Sequence, residues 1–150
     1  MESYPCVCGK GTKRCATDPV KAVIVGAGTR ARVRYGQYAL DYPERLQIVG
    51  VADPNVQRRR LTAEIYDIPR ERCFETAEEL AGQPKFADAA INGTNDADHV
   101  PTTLPLLRAG YDVLLEKPIS PKEEELTKLV ETAKSTGRKV FICHVLRHTP

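Results

Sequence analysis

Short apolar runs alternate along this chain with longer stretches of helical periodicity. The runs at 20–25, 47–53, 86–91, 111–115 and 139–144 read as strands, and Cys73-Phe74 as a shorter extended piece. Near-continuous apolar character, as at 20–25, suits a strand buried on both faces of a sheet. Between the strands, Ala31, Tyr35, Tyr38 and Tyr42 predict one face of a helix over 29–41, and Arg30 and Arg34 another. Leu61, Ile65 and Ile68 predict the apolar side of a helix over 55–66, which Pro69 closes. Thr76 and Glu79 form a capping box. A helix over 98–109 stops at Gly110, and Pro105 inside it should bend it. Ser120, Pro121 and Glu123 supply an N-cap, an N1 proline and a capping glutamate for a last helix. Leu126, Leu129, Val130 and Ala133 line that helix's buried face, and Gly137 ends it. Strands alternating with helices at this spacing predict an α/β fold, a Rossmann-type doubly wound parallel sheet in three α/β/α layers.

Residues 1–18 lack this periodicity and read as an irregular N-terminal extension, so the predicted domain occupies 19–150. At 150 residues the chain is one domain long. Charged residues at 28%, hydrophobic residues at 41% and a net charge of +2 describe a globular chain with no reason to bind nucleic acid or an acidic membrane. No apolar run approaches the length needed to span a bilayer, and the first eighteen residues carry no secretory pattern. The expected compartment is therefore the cytoplasm. Five cysteines, Cys6, Cys8, Cys15, Cys73 and Cys143, are an odd number and argue against a disulfide framework. Cys6, Cys8 and Cys15 do not have zinc-site spacing, so no metal is expected. Asn92-Gly93-Thr94 matches a glycosylation sequon, which says little in a chain without a secretory signal.

Candidate chemistry is concentrated where strands end. In Ala22-Val23-Ile24-Val25-Gly26-Ala27-Gly28-Thr29-Arg30-Ala31, a strand enters a glycine turn and then a helix. Gly26 lets the chain turn, Gly28 removes a Cβ that would hold phosphate oxygens off the amides, and Ala31 takes the place of a third glycine. The helix N-terminus would face the anion with free N–H groups and its positive dipole end. Plain strand-to-helix connections also use such turns. A second signal is Asp53, about 25 residues on at the end of the next apolar run, placed to accept hydrogen bonds from a ribose. Its other reading is a turn acid or helix N-cap before Pro54. Asp53 favours NAD, because a carboxylate there repels a 2′-phosphate. Arg58-Arg59-Arg60, with Arg58 nearest the turn, could still reach NADP unless the run is a solvated face. Arg30 could assist a phosphate or lie exposed.

Loops after strands in a doubly wound sheet converge at the strands' carboxyl edge. There, Glu116-Lys117-Pro118, Thr94-Asn95-Asp96-Ala97-Asp98-His99 and the glycine turn, followed by Arg147-His148-Thr149-Pro150, together resemble the nucleotide-binding half of the glucose–fructose oxidoreductase / inositol dehydrogenase (Gfo/Idh/MocA) family. The resemblance implies that Lys117 lies near the nicotinamide ribose and the reacting carbon, as the catalytic ammonium. It implies that Glu116 orients Lys117 or contacts the cofactor, and that Thr94 and His99 line the cofactor channel, unless they cap the following helix. Asn95 and Asp96 depart from the family's Thr-Pro-Asn, which leaves their own contacts open. Arg147 is assigned to the nicotinamide end or the substrate, and His144 to the core or a strand end.

Two functions fit. One is the NAD(P)-binding domain of an oxidoreductase acting on CH–OH groups of a sugar, cyclitol or related polyol, with NAD as cofactor and NADP possible. The other is a non-catalytic NAD(P)-binding sensor or interaction module. Members of the family continue into a C-terminal substrate domain that this sequence does not contain. The small-molecule substrate would require that domain, and apolar surface left by its absence predicts self-association, with a homo-oligomer as the expected state.

Overall fold

A computed structural model of the chain describes residues 18–144. Six strands run parallel: β1 (Val20–Val25), β2 (Leu46–Ala52), β3 (Cys73–Phe74), β4 (Ala89–Asn92), β5 (Asp112–Leu115) and β6 (Val140–Ile142). Their order across the sheet is β3-β2-β1-β4-β5-β6, so successive crossovers leave β1 in opposite directions. The helices are α1 (Gly36–Asp41), α2 (Val56–Tyr66), α3 (Ala77–Ala81), α4 (His99–Arg108) and α5 (Glu123–Thr136).

Alternation along β1 builds both halves of the core, because successive side chains of a strand point to opposite faces. Val23 and Val25 join Leu80, Leu106, Leu107 and Leu129 from α3, α4 and α5. Ala22 and Ile24 join Ala39 from α1, Ile48 from β2 and Ile68 after α2 on the opposite face. The doubly wound, three-layer architecture follows directly from that division.

The first helix departs from its predicted form. Arg30–Tyr35 is wound as a π-helix before α1 begins. Tyr66, at the end of α2, donates its hydroxyl to the carbonyl of Arg32 at 2.5 Å. Arg32 is the fourth residue before Gly36, and with its carbonyl engaged the Gly36 N–H reaches the Ala31 oxygen, five residues back. A side chain inserted into the i→i−4 ladder thus widens the turn. The extra residue shifts the buried stripe by one position: Ala31, Gly36 and Ala39 are buried, whereas the exposed Tyr38 and Tyr42 lie against each other with tilted rings, centroids 4.9 Å apart.

Three further expectations are corrected. Leu61 and Ile65 are exposed, and α2 buries Thr62 instead, whose hydroxyl donates to the Arg58 carbonyl. The last helix begins at Glu123. Ser120 accepts the Lys122 N–H and donates to Glu125 at 2.6 Å, so the capping glutamate is Glu125 and not Glu123. Val130, expected on the buried face of the last helix, is exposed, whereas His144 stands, exposed, at the end of β6, the second of the two places assigned to it. Cys6, Cys8, Cys15 and Arg147 lie outside the described residues. Among the described residues, no helix is long and apolar enough to cross a membrane.

Candidate functional site

Parallel register levels the strand ends. Val25 is paired with Ala52 on one side and Asn92 on the other, and Asn92 with Leu115. The next residues, Gly26, Asp53, Gly93 and Glu116, therefore leave the sheet together at its carboxyl edge, where strand order reverses between β1 and β4. That is where open α/β sheets take ligands. A cleft of about 140 Å³ lies there, lined among others by Gly26, Gly28, Asp53, Arg58, Thr94 and Asp98. A larger depression of about 710 Å³ lies at the opposite edge, around Pro19 and Phe86, away from every residue of this constellation.

The two glycines of the turn do different things. Gly26 has φ +76°, and a Cβ on it would fall 2.6 Å from the Thr94 backbone nitrogen. A Cβ on Gly28 would meet nothing within 4 Å, so the space in front of it is open. The first helical hydrogen bond runs from Arg32 N–H to the Gly28 carbonyl at 3.0 Å, leaving the amides before it without intrahelical partners. Ala31 is fully buried against Gly93, where even one added Cβ would sit 2.8 Å from its methyl. Thr29 and Arg30 are exposed at the mouth of this turn.

Asp53 is only 3% exposed. One carboxylate oxygen accepts the Ala27 N–H at 2.7 Å and the other the Asn55 N–H at 2.8 Å, so the acid pins the glycine turn to the end of β2. Each oxygen retains a second lone pair for a ligand hydroxyl. The helix-capping role belongs to Asn55, which accepts the Gln57 and Arg58 N–H groups. The arginine run separates by partner. Arg59 holds the Asp53 carbonyl and Glu75, and Arg60 pairs with Glu64. Arg58 faces the cleft.

On the other side of β1, Asn92 organises the Thr94 loop. It is fully buried; its amide donates to Thr102, Thr103 and the His99 carbonyl, and its oxygen accepts the Thr94 hydroxyl at 2.8 Å. A sequon asparagine in that position is closed to glycosylation in the folded chain. His99 is 1% exposed and lies beneath the cleft, one ring nitrogen 2.6 Å from the Pro118 carbonyl and the other 3.1 Å from that of Thr94. It ties together the loops that follow β4 and β5. Asn95 lines the cleft and bonds Asp98, while Asp96 is exposed in a 3-10 turn.

Glu116 is 5% exposed and fully engaged. Oε1 accepts the Tyr35 hydroxyl at 2.5 Å and lies 3.3 Å from Arg30 Nε, and Oε2 accepts the Lys117 N–H at 3.2 Å. Burial, the Cys143 thiol and Glu116 together push the Tyr35 phenol far up, so it stays a donor. Burial likewise pushes the Cys143 thiol up, against the lowering effect of Tyr35. Lys117 is exposed, and its peptide bond to Pro118 is cis. Arg30 and Tyr35 converge here on one carboxylate oxygen. Sequence reading passed over Tyr35 and Asn92. Tyr35 stands five residues after Arg30, out of α-helical spacing, and Asn92 was visible only as a sequon.

Residues 20–144 match the family model described as an oxidoreductase family with an NAD-binding Rossmann fold, Gfo/Idh/MocA. Among relatives, the Saccharomyces cerevisiae protein YMR315W is 27% identical over 135 residues, covering 89% of this chain and 38% of that one. Trans-1,2-dihydrobenzene-1,2-diol dehydrogenase of Sus scrofa is 37% identical over 91 residues, covering 61% and 26%. The WlbA dehydrogenase of Bordetella pertussis, solved in complex with NADH and UDP-GlcNAcA, superposes with a TM-score of 0.80 at 20% identity, covering 91% and 40%, which shows a shared fold. The chain thus spans between 26% and 40% of the length of these relatives. With the ordered motifs, the strand order and the family match in agreement, this chain belongs to the Gfo/Idh/MocA oxidoreductase family and carries its NAD-binding Rossmann fold.

Proposed function

We propose that residues 19–150 form the cofactor domain of an NAD(P)-dependent dehydrogenase acting on a CH–OH group of a sugar, cyclitol or related polyol. The observation that supports this best is the levelling of Gly26, Asp53, Gly93 and Glu116 on one edge by strand register. The residues fit a dinucleotide: the open space before Gly28 admits a phosphate beside free helix amides. Asp53 on the β2 side takes the adenosine ribose, with Arg58 beside it in the cleft for a 2′-phosphate. Thr94, Asn95, Glu116 and Lys117 on the β4–β5 side take the nicotinamide half, with Arg147 assigned by family resemblance to that end or to the substrate.

The nicotinamide ring, when bound, supplies the hydride acceptor or donor. Lys117 Nζ, on an exposed side chain just past Glu116, stabilises negative charge developing on the substrate oxygen or takes its proton. Glu116 holds the Lys117 amide and so fixes where that side chain starts. Asp53 braces the turn under the phosphates through Ala27. NAD is the favoured cofactor because the Asp53 carboxylate opposes a 2′-phosphate. The remainder of the substrate pocket belongs to a second domain, as the relatives' greater length suggests. Exposed Phe141 and Val130, on β6 and α5, favour a homo-oligomer.

Titrating the folded chain with NADH and following cofactor fluorescence tests the reading. Saturable binding in the micromolar range is expected. A folded chain that leaves NADH and NADPH unbound at millimolar concentration refutes it.

A further inference from the structure

Arg30 and Tyr35 both grip the same oxygen of Glu116. In an α-helix two residues five apart are rotated by roughly 500°, or about 140° from a common face. A π turn, closed by hydrogen bonds to the fifth residue, holds more residues per turn and brings the two closer to a common side. The grip therefore depends on the widened turn, and the widened turn depends on Tyr66, whose hydroxyl occupies the Arg32 carbonyl from a different helix. Gly36 belongs to the same device. A Cβ there would lie 2.0 Å from the Tyr66 oxygen, so glycine is what admits the phenol.

We propose that Tyr35 is a positioning residue for the nicotinamide half of the cofactor site, and that Tyr66 sets it by winding Arg30–Tyr35 as a π turn. This rests on the reading that Glu116 and Lys117 serve the nicotinamide half. Glu116 is a buried carboxylate, and such a group takes the direction its donors dictate. Tyr35 and Arg30 hold Oε1, which leaves Oε2 aimed at the Lys117 amide. Without the extra residue, Tyr35 would swing by about 100° away from Glu116. The carboxylate would then turn toward Arg30 alone, and the start of the Lys117 loop would lose its anchor. Tyr35 is not catalytic, since its hydroxyl is spent on Glu116.

The test compares NADH with ADP, which carries the adenosine and diphosphate but nothing of the nicotinamide half. Affinities of both ligands are measured by calorimetry on the full chain and on Tyr35→Phe, Tyr66→Phe and the double variant. The expected result is a loss of roughly tenfold in NADH affinity for each single variant, the net effect of one hydrogen bond at its upper end. ADP affinity should stay within about twofold, and the double variant should be no worse than either single one, because both act through one contact. Equal weakening of NADH and ADP would assign the tyrosines a general structural role and overturn the proposal. An unchanged NADH-to-ADP ratio in Tyr66→Phe, with a changed one in Tyr35→Phe, overturns the part played by Tyr66. A wild-type chain that binds ADP and NADH normally alongside unaffected variants sinks the positioning claim alone, whereas a wild-type chain that binds neither removes the cofactor reading beneath it.

Discussion

Alanine at Gly28 and alanine at Gly26 should have opposite consequences, although the residues are two apart in one turn. At Gly28 the new methyl meets no atom within 4 Å and the backbone is not in the left-handed region. Folding is then unharmed, and restricting the unfolded chain contributes about 0.4–1 kcal/mol of stability. The methyl nevertheless occupies the open space beside the helix amides. If phosphate oxygens bind there, losing one charge-assisted hydrogen bond costs about 1.5–3 kcal/mol, or roughly ten- to hundredfold in NADH affinity. At Gly26, φ is +76° and the methyl would lie 2.6–2.8 Å from Thr94 atoms, backbone included. Left-handed strain of about 1–2 kcal/mol and overpacking of about 1–3 kcal/mol then lower stability together. At about 2–4 °C per kcal/mol, Tm falls by on the order of 10 °C. Thermal unfolding and NADH titration of both variants are the assays. A Gly28→Ala variant that keeps wild-type stability and wild-type NADH affinity would refute the placement of the phosphates.

Asn92→Ala should destabilise the domain by about 2–4 kcal/mol, because it strips partners from three threonine hydroxyls and the His99 carbonyl in a buried setting; the midpoint of urea unfolding reads this, and a midpoint equal to wild type would contradict it. Arg58→Ala should lower NADPH affinity and leave NADH affinity within about twofold, since a guanidinium beside Asp53 matters most to a 2′-phosphate; equal losses for both cofactors would place Arg58 elsewhere. Stability should fall as pH rises past about 10. Burial raises the phenols of Tyr35, Tyr66 and Tyr111, so the unfolded chain releases those protons first and gains on the folded one from that pH upward. Thermal melts between pH 8 and 11 test it, and a Tyr35→Phe variant should show a shallower decline.

Much of the site could be read before any tertiary information. The glycine turn, the acid ending β2 and Glu116-Lys117 after β5 are spaced along the chain by strand and helix lengths, so their arrival on one edge follows from a parallel sheet. What those residues touch could not be read the same way. Asp53 divides its oxygens between Ala27 and Asn55, and the arginine run splits into paired Arg59 and Arg60 with Arg58 in the cleft. Family resemblance assigns His99 to the cofactor channel, yet it is buried, its ring nitrogens at the Thr94 and Pro118 carbonyls.

By itself the sequence determined the alternation of elements, the parallel sheet and the position of the turn, because hydrophobic periodicity and glycine conformation act between near neighbours in the chain. Only the tertiary structure decided which face the first helix buries and which side chains hold Glu116. The physical cause is one hydroxyl, that of Tyr66, arriving from 34 residues away at a carbonyl that an α-helix would have used itself. No local periodicity encodes such an arrival. Its effect is a one-residue shift that buries Ala39, exposes Tyr38 and turns Tyr35 onto the carboxylate.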